Sequence, residues 1–259
     1  LDGLHTAAQE HGYDIVLSAI TPHRDEGAAL DALLRDRCEV VILLGSSLPQ
    51  DRLEQISATL PVVSVTRAFD ALSFDSVATD DHRGAVLAVE HLLGLGHRRI
   101  AYVDADREAG GARRRAGYQD AMAAAGLGDR MLIVPGAASE AGGAAAITGL
   151  LAQDPSPTAV LAFNDRCAVG VVSQARVLGR CVPGDLSVVG FDDSEQASLP
   201  YLDLTTLAQD PRLLAGTAVD LALRRLDATA EVTAVTGEHV VLPAQLVARS
   251  STAPAPASL

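Results

Sequence analysis

Lysine is missing from this chain of 259 residues: all 20 basic side chains are arginine, set against 33 aspartates and glutamates, for a formal net charge of −13. Without lysine there is no Schiff-base amine and no GxxxxGK[ST] phosphate loop. The serine elbow GxSxG and the metal-binding HExxH are absent too, so the common hydrolase signatures are excluded. So acidic a chain lacks the basic face that neutralises phosphates, which argues against its gripping nucleic acid by itself. Tryptophan is absent and aromatics make up 3%, so no indole is available for a ligand to stack on. The three cysteines, Cys38, Cys167 and Cys181, form no close pair and no CxxC. That pattern suggests neither a disulfide framework nor a zinc site, and it suits a reducing compartment. No apolar run approaches the roughly 20 residues that span a bilayer.

What is present is material for a core. The chain is 48% hydrophobic, too apolar for disorder and enough for one large domain or two of about 100–150 residues. Apolar runs at 14–20, 39–44, 61–66, 99–104, 130–134, 158–163 and 186–192 alternate with helical patterns at 26–37, 49–58, 83–95, 113–125, 142–153 and 167–178. Short apolar strands separated by amphipathic helices predict βαβ units and parallel sheets. Their near-continuous apolar character predicts helices on both faces. Residues 1–11 read as the remainder of an amphipathic helix with no strand ahead of it, whereas a doubly wound lobe places its first strand centrally. The Pro/Ala-rich stretch 253–259 is expected to be disordered.

Gly94-Leu95-Gly96 lacks the third glycine of a dinucleotide loop and precedes a strand instead of following one. His91 and His97 are six apart, off a common helix face, and are expected as a surface residue and a helix-end cap. Three segments are more informative. Arg113-Arg114-Arg115 opens a helix after a strand, where three cations oppose the helix dipole; an anionic or hydroxyl-rich ligand would justify them, and a solvated basic patch is the plain alternative. Asn164-Asp165 and Asp192-Asp193 follow strands, at the sheet edge where open α/β folds bind ligands. Helix capping is the favoured plain role for Asp165 and Asp193. Together Arg, Asn and Asp supply donors and acceptors suited to adjacent hydroxyls.

These segments also carry a family resemblance. Gly12-Tyr13-Asp14, PVVSVTR at 61–67, residues 79–84, EHLLGLGHRRI at 90–100, RRAGY at 114–118, Asn164-Asp165, PGDLSVVGFDD at 183–193, LTTLAQD at 204–210 and residues 243–249 occur in family order over nearly the whole chain. In these the chain resembles the effector-binding core of the LacI/GalR family of bacterial transcription regulators. The resemblance implies an α/β fold of two Rossmann-like lobes with parallel sheets, like periplasmic binding proteins, joined by three crossovers near Asp80, Ala208 and Glu238. The lobes would be 1–79 with 209–237, and 80–208 with 238–259, the family's helix-turn-helix, hinge helix and first strand lying outside the chain.

The same resemblance implies a small effector, a sugar or related polyol, bridging both lobes and shifting the population between DNA-binding states. Carried over residue by residue, its contacts are Arg114, Asn164, Asp192, Gln209, Thr66, Thr79 and Ala138. The family usually has aspartate where Thr66 stands and asparagine where Asp81 stands, and Ala138 falls where an aromatic platform is common. No catalysis, cofactor or metal is implied. The implied protein is a cytoplasmic homodimer that meets operator DNA through the N-terminal domain outside this chain, and it has no membrane contact. The alternative is a secreted solute-binding protein for sugar uptake. An enzyme using Asp192 and Asp193 is disfavoured, because adjacent strand residues point to opposite faces.

Overall fold

The computed structural model describes every residue except 22, 68, 70–72, 155, 230–235 and 257–259. Contacts divide the chain into two compact units, Leu1–Thr79 with Asp210–Leu242, and Asp80–Gln209 with Pro243–Leu259. The expected divisions after 208 and 237 thus fall after Gln209 and Leu242. The later one follows from pairing, since a strand at His239–Leu242 joins the first unit's sheet.

The first unit contains α1 (Asp2–Glu10), α2 (Glu26–Arg35), β1 (Val41–Leu44), α3 (Gln50–Ser57), β2 (Val62–Val65) and β3 (Asp75–Thr79). The second begins with α4 (Asp81–Gly94), β4 (Ile100–Asp104), α5 (Gly111–Ala124), β5 (Leu132–Pro135) and α6 (Glu140–Gln153). It continues through β6 (Ala159–Ala162), α7 (Asp165–Val177), β7 (Ser187–Val189) and β8 (Thr206–Ala208). The chain returns to the first unit with α8 (Pro211–Thr229) and β9 (His239–Leu242), and ends in the second with β10 (Gln245–Val247).

The first unit's sheet has the order β1-β2-β3-β9, with every pairing parallel. Residues 14–20, apolar enough for a strand, do not form one. They share with β1 and α8 the lining of an apolar groove of about 540 Å³. Their backbone makes no hydrogen bond to another described residue. A strand needs a partner about 4.8 Å away to satisfy its amides and carbonyls, and β1 pairs only with β2. Val16, Leu17 and Ile20 are consequently exposed.

In the second unit the order is β5-β4-β6-β7, again all parallel. Alternate side chains feed two cores, Ala101, Val103, Val160 and Val188 on one face, and Ile100, Tyr102, Leu161 and Val189 on the other. Burial on both faces explains the unbroken apolar runs. The chain leaves β4 for β5 on one side and reaches β6 on the other, so the topological switch point lies between β4 and β6. Ligands of open parallel sheets bind outside the carboxyl ends at such a point.

Two expectations here are corrected. His97 is not a helix-end cap. It is buried, and its Nδ1 lies 2.8 Å from Thr158 Oγ1 while Nε2 lies 3.0 Å from the carbonyl of Ala253. His91 Nε2 meets Thr252 Oγ1 at 3.0 Å. These contacts, with Ala255 N donating to Leu95 O, seat the described part of the stretch expected to be disordered; residues 257–259 of it lie outside the described residues.

Candidate effector site

The carboxyl ends of β4, β6 and β7 bring one group of side chains together. Arg114 lies in the first turns of α5, which follows β4. Its Nε donates to Asp81 Oδ1 at 2.7 Å and its Nη1 to the carbonyl of Phe163, just past β6, at 2.7 Å. Its guanidinium lies 4.7 Å from the ring centroid of Phe163 and 3.7 Å from that of Phe191. Cation–π contacts of this kind gain strength when desolvated, and Arg114 is only 6% exposed. The close approach of Phe191 depends on Gly84: a Cβ there would fall 2.7 Å from the Phe191 ring.

The remaining contact of Arg114 reaches the third strand end. Its Nη2 stands 3.7 Å from Asp192 Oδ1, beyond hydrogen-bond range and close enough for one oxygen beside the pair to reach both. Gln209 Nε2 donates to the same Oδ1 at 2.6 Å. The expected lobe assignment of Gln209 is therefore corrected: it belongs with Asp192 in the second unit. Asp192 and Asp193 have φ of +118° and +53°, a backbone that L side chains adopt only when their surroundings hold it, and such strain concentrates at functional sites. Burial, opposed by Arg114, pushes the Asp192 carboxyl up to about 6. It is the more open member of the pair, its side chain 35% exposed.

Asn164, not Asp165, caps α7, its side-chain oxygen accepting from Cys167 N at 2.9 Å. That bond orients the amide and leaves Nδ2 as its donor group. Asp165 is the first residue of the helix and is buried. It accepts from Ser194 N at 2.7 Å and from Thr206 Oγ1 at 2.5 Å, tying α7 to the loop that carries Asp192. Asp193 caps nothing; it pairs with Arg249 at 2.6 Å.

Two of the three arginines that seemed to oppose the α5 dipole are matched from within, and the third, Arg113, is exposed. Arg114 pairs with Asp81, and Arg115 with Asp104 at 2.5 Å and Asp106 at 2.6 Å. Burial raises the Asp81 and Asp104 carboxyls from their usual range, against the pull of their arginines. Beneath them Tyr102 Oη, Asp104 Oδ1 and Arg115 Nε are buried without a hydrogen-bond partner among the described residues, leaving unmet polar demand under the site.

The other expected residues lie on other elements. Ala138, in the β5–α6 loop, packs against the second unit's core. Thr66 and Thr79 lie in the first unit, at the carboxyl ends of β2 and β3. Thr66 has φ +74°, strained for a β-branched residue. Asp81, Phe163 and Phe191 were missed as site-forming residues. Their contacts come from packing between separate elements, and only the nearness of Phe163 to Asn164 and of Phe191 to Asp192 in sequence hinted at it. Among the described residues no three His, Cys, Asp or Glu side chains gather to hold a metal.

Known proteins are similar to this chain in sequence and fold. A family profile described as a periplasmic binding protein-like domain matches residues 89–252. The structure of a LacI transcriptional regulator from a Rhodococcus species superposes with a TM-score of 0.93 at 41% identity, covering 99% of this chain and 93% of that one. The chain belongs to the LacI/GalR family. Within it, the HTH-type regulator GalR of Escherichia coli K12 is 34% identical over 206 residues, which are 78% of this chain and 60% of GalR. The chain thus spans about 60% of the length of that curated relative. A LacI-family regulator from Enterococcus faecium, solved with bound ribose, has a TM-score of 0.83 at 28% identity, covering 97% of this chain and 92% of that one. These LacI/GalR relatives are regulators, not enzymes.

Proposed function

We propose that this chain is the effector-sensing part of a LacI/GalR-type transcription regulator, and that Arg114, Asn164, Asp192 and Gln209 contact a small hydroxyl-rich effector, a sugar or related polyol. The observation that carries the reading is the 3.7 Å gap between Arg114 Nη2 and Asp192 Oδ1. A single hydroxyl beside it accepts from the guanidinium and donates to the carboxylate, satisfying both charged groups. Asn164 adds a donor beside it. Thr66, Thr79 and Ala138 enter this proposal only through the resemblance. The ribose bound to the Enterococcus relative supports a sugar as the ligand class.

Nothing in the site calls for bond-making. The effector acts by binding one of two states more tightly and so shifting their populations. In the working protein a separate N-terminal domain meets operator DNA, and two copies associate in the cytoplasm. No helix among the described residues is long and apolar enough to cross a membrane. The uptake-protein alternative is not favoured, since the matched relatives are regulators.

A thermal-shift screen of pentoses, hexoses and disaccharides tests the reading. The sugar that stabilises the wild-type chain should lose its effect on Asp192→Ala and on Asn164→Ala. Full stabilisation of both variants would place the ligand elsewhere.

A further inference from the structure

The N-terminus of a helix attracts anions, through unpaired amides and the positive end of the dipole. In α5 this attraction is reinforced by Arg113, Arg114 and Arg115 in its first turns. Such a place would ordinarily suit a phosphate. Here a carboxylate of the protein itself stands beside it, bonded to Arg114 Nε and not to an α5 amide. Asp81, in the first turn of α4, puts its carboxylate against Gly110, the residue that precedes α5; a Cβ on Gly110 would lie 2.4 Å from Asp81 Oδ2. Gly110 has φ +79°, so glycine serves both the turn and the close approach.

The seat is specific. Asp81 Oδ1 receives Arg114 Nε at 2.7 Å, and the two side chains are 5% and 7% exposed. The guanidinium is further held between the Phe163 and Phe191 rings. Its positive charge is therefore spent on Asp81, and what faces outward beside it is the second carboxylate, Asp192. Asp165 stands behind, also buried, and it acts on Asp192 as a like charge. An incoming phosphoryl group would meet two or three carboxylates and one arginine that is already paired. A neutral hydroxyl meets an acceptor and a donor.

We propose that Asp81 is a specificity-determining residue: by placing its carboxylate beside the start of α5 and neutralising Arg114, it restricts the site to uncharged, hydroxyl-bearing effectors and excludes phosphorylated ones. The inference rests on the effector-site reading for where the ligand lies, but its test does not use the effector.

Inorganic phosphate is the probe, titrated by calorimetry into the 259-residue chain, with chloride at matched ionic strength as the control for screening. Wild type should show no phosphate binding beyond chloride. Asp81→Asn frees the guanidinium and should raise phosphate affinity by about tenfold or more. Asp81→Asn combined with Arg114→Gln should abolish that gain. Asp192→Asn, which leaves Asp81 in place, should bind no phosphate.

Phosphate binding by wild type that disappears with Arg114→Gln overturns the proposal. So does an Asp81→Asn protein with wild-type circular dichroism and no gain, or an equal gain in Asp192→Asn. Asp81→Ser is the second variant should the asparagine fail to fold, and the wild-type and Asp192→Asn arms can refute the idea without either. A sugar that stabilised Asp192→Ala and Asn164→Ala as fully as wild type would end the effector reading while leaving these phosphate results to stand.

Discussion

Asp192→Asn should make the unliganded protein more stable at neutral pH, although it removes a charge that faces an arginine. Burial lifts the folded-state value of Asp192 to about 6 from 3.8. Below about pH 4 the carboxyl is protonated in both the folded and the unfolded chain, and ionisation makes no difference to stability. As pH rises, the unfolded chain ionises first, so folding loses stability until the folded carboxyl has titrated near pH 6. The gap corresponds to about 3 kcal/mol at 1.36 kcal/mol per unit. With 35% of the side chain exposed, screening reduces this to about 1–2 kcal/mol. Asparagine escapes that loss while its Oδ1 still accepts from Gln209 Nε2. The expected gain in melting temperature is about 2–8 °C at about pH 7.5, shrinking toward zero near pH 4. Scanning calorimetry of both proteins across that range measures it. A variant less stable than wild type at neutral pH, or a difference that does not vary with pH, would refute the reasoning. In the proposed reading, the same tension would be relieved by a ligand hydroxyl donating to Asp192, at some expense of stability in the empty site.

Arg114→Ala strands Asp81 as a buried unpaired charge and should cost about 3–5 kcal/mol, read as a lower denaturant midpoint, with Asp81→Asn added to it restoring part of the loss; an Arg114→Ala protein as stable as wild type would contradict the buried pair. Amides of residues 14–20, which have no backbone partner among the described residues, should exchange at rates close to those of an open chain while those of β4 stay protected; slow exchange at 14–20 would show that they are paired after all.

The parallel architecture was legible because burial on both faces leaves nearly unbroken apolar runs, as in β4 and β6. Asn164 and Asp192 were legible as candidates because each lies just past a strand at the carboxyl edge, and Arg114 because it lies in the helix that follows one. Their roles were less so. Arg114 reads as an exposed ligand contact in sequence, but it is a packed core cation whose donors go first to Asp81 and Phe163. Gln209 is 17 residues from Asp192, and only the bridge of Asp192 beside Ala208 brings them together. His97 looked like a helix-end cap because its partners, Thr158, Ser187 and Ala253, arrive from distant elements. Residues 14–20 have the composition of a strand, but pairing decides the outcome. Composition and spacing report burial and caps well; contacts between remote elements leave little local trace.

The central claim is that a hydroxyl-rich effector sits between Arg114 and Asp192. The most direct measurement is isothermal titration of the stabilising sugar from the screen into wild type and Asp192→Ala. Loss of a hydrogen bond to a charged group costs about 1.5–3 kcal/mol, so affinity should fall by about 10- to 150-fold in the variant. Equal affinity in the two proteins would contradict the account.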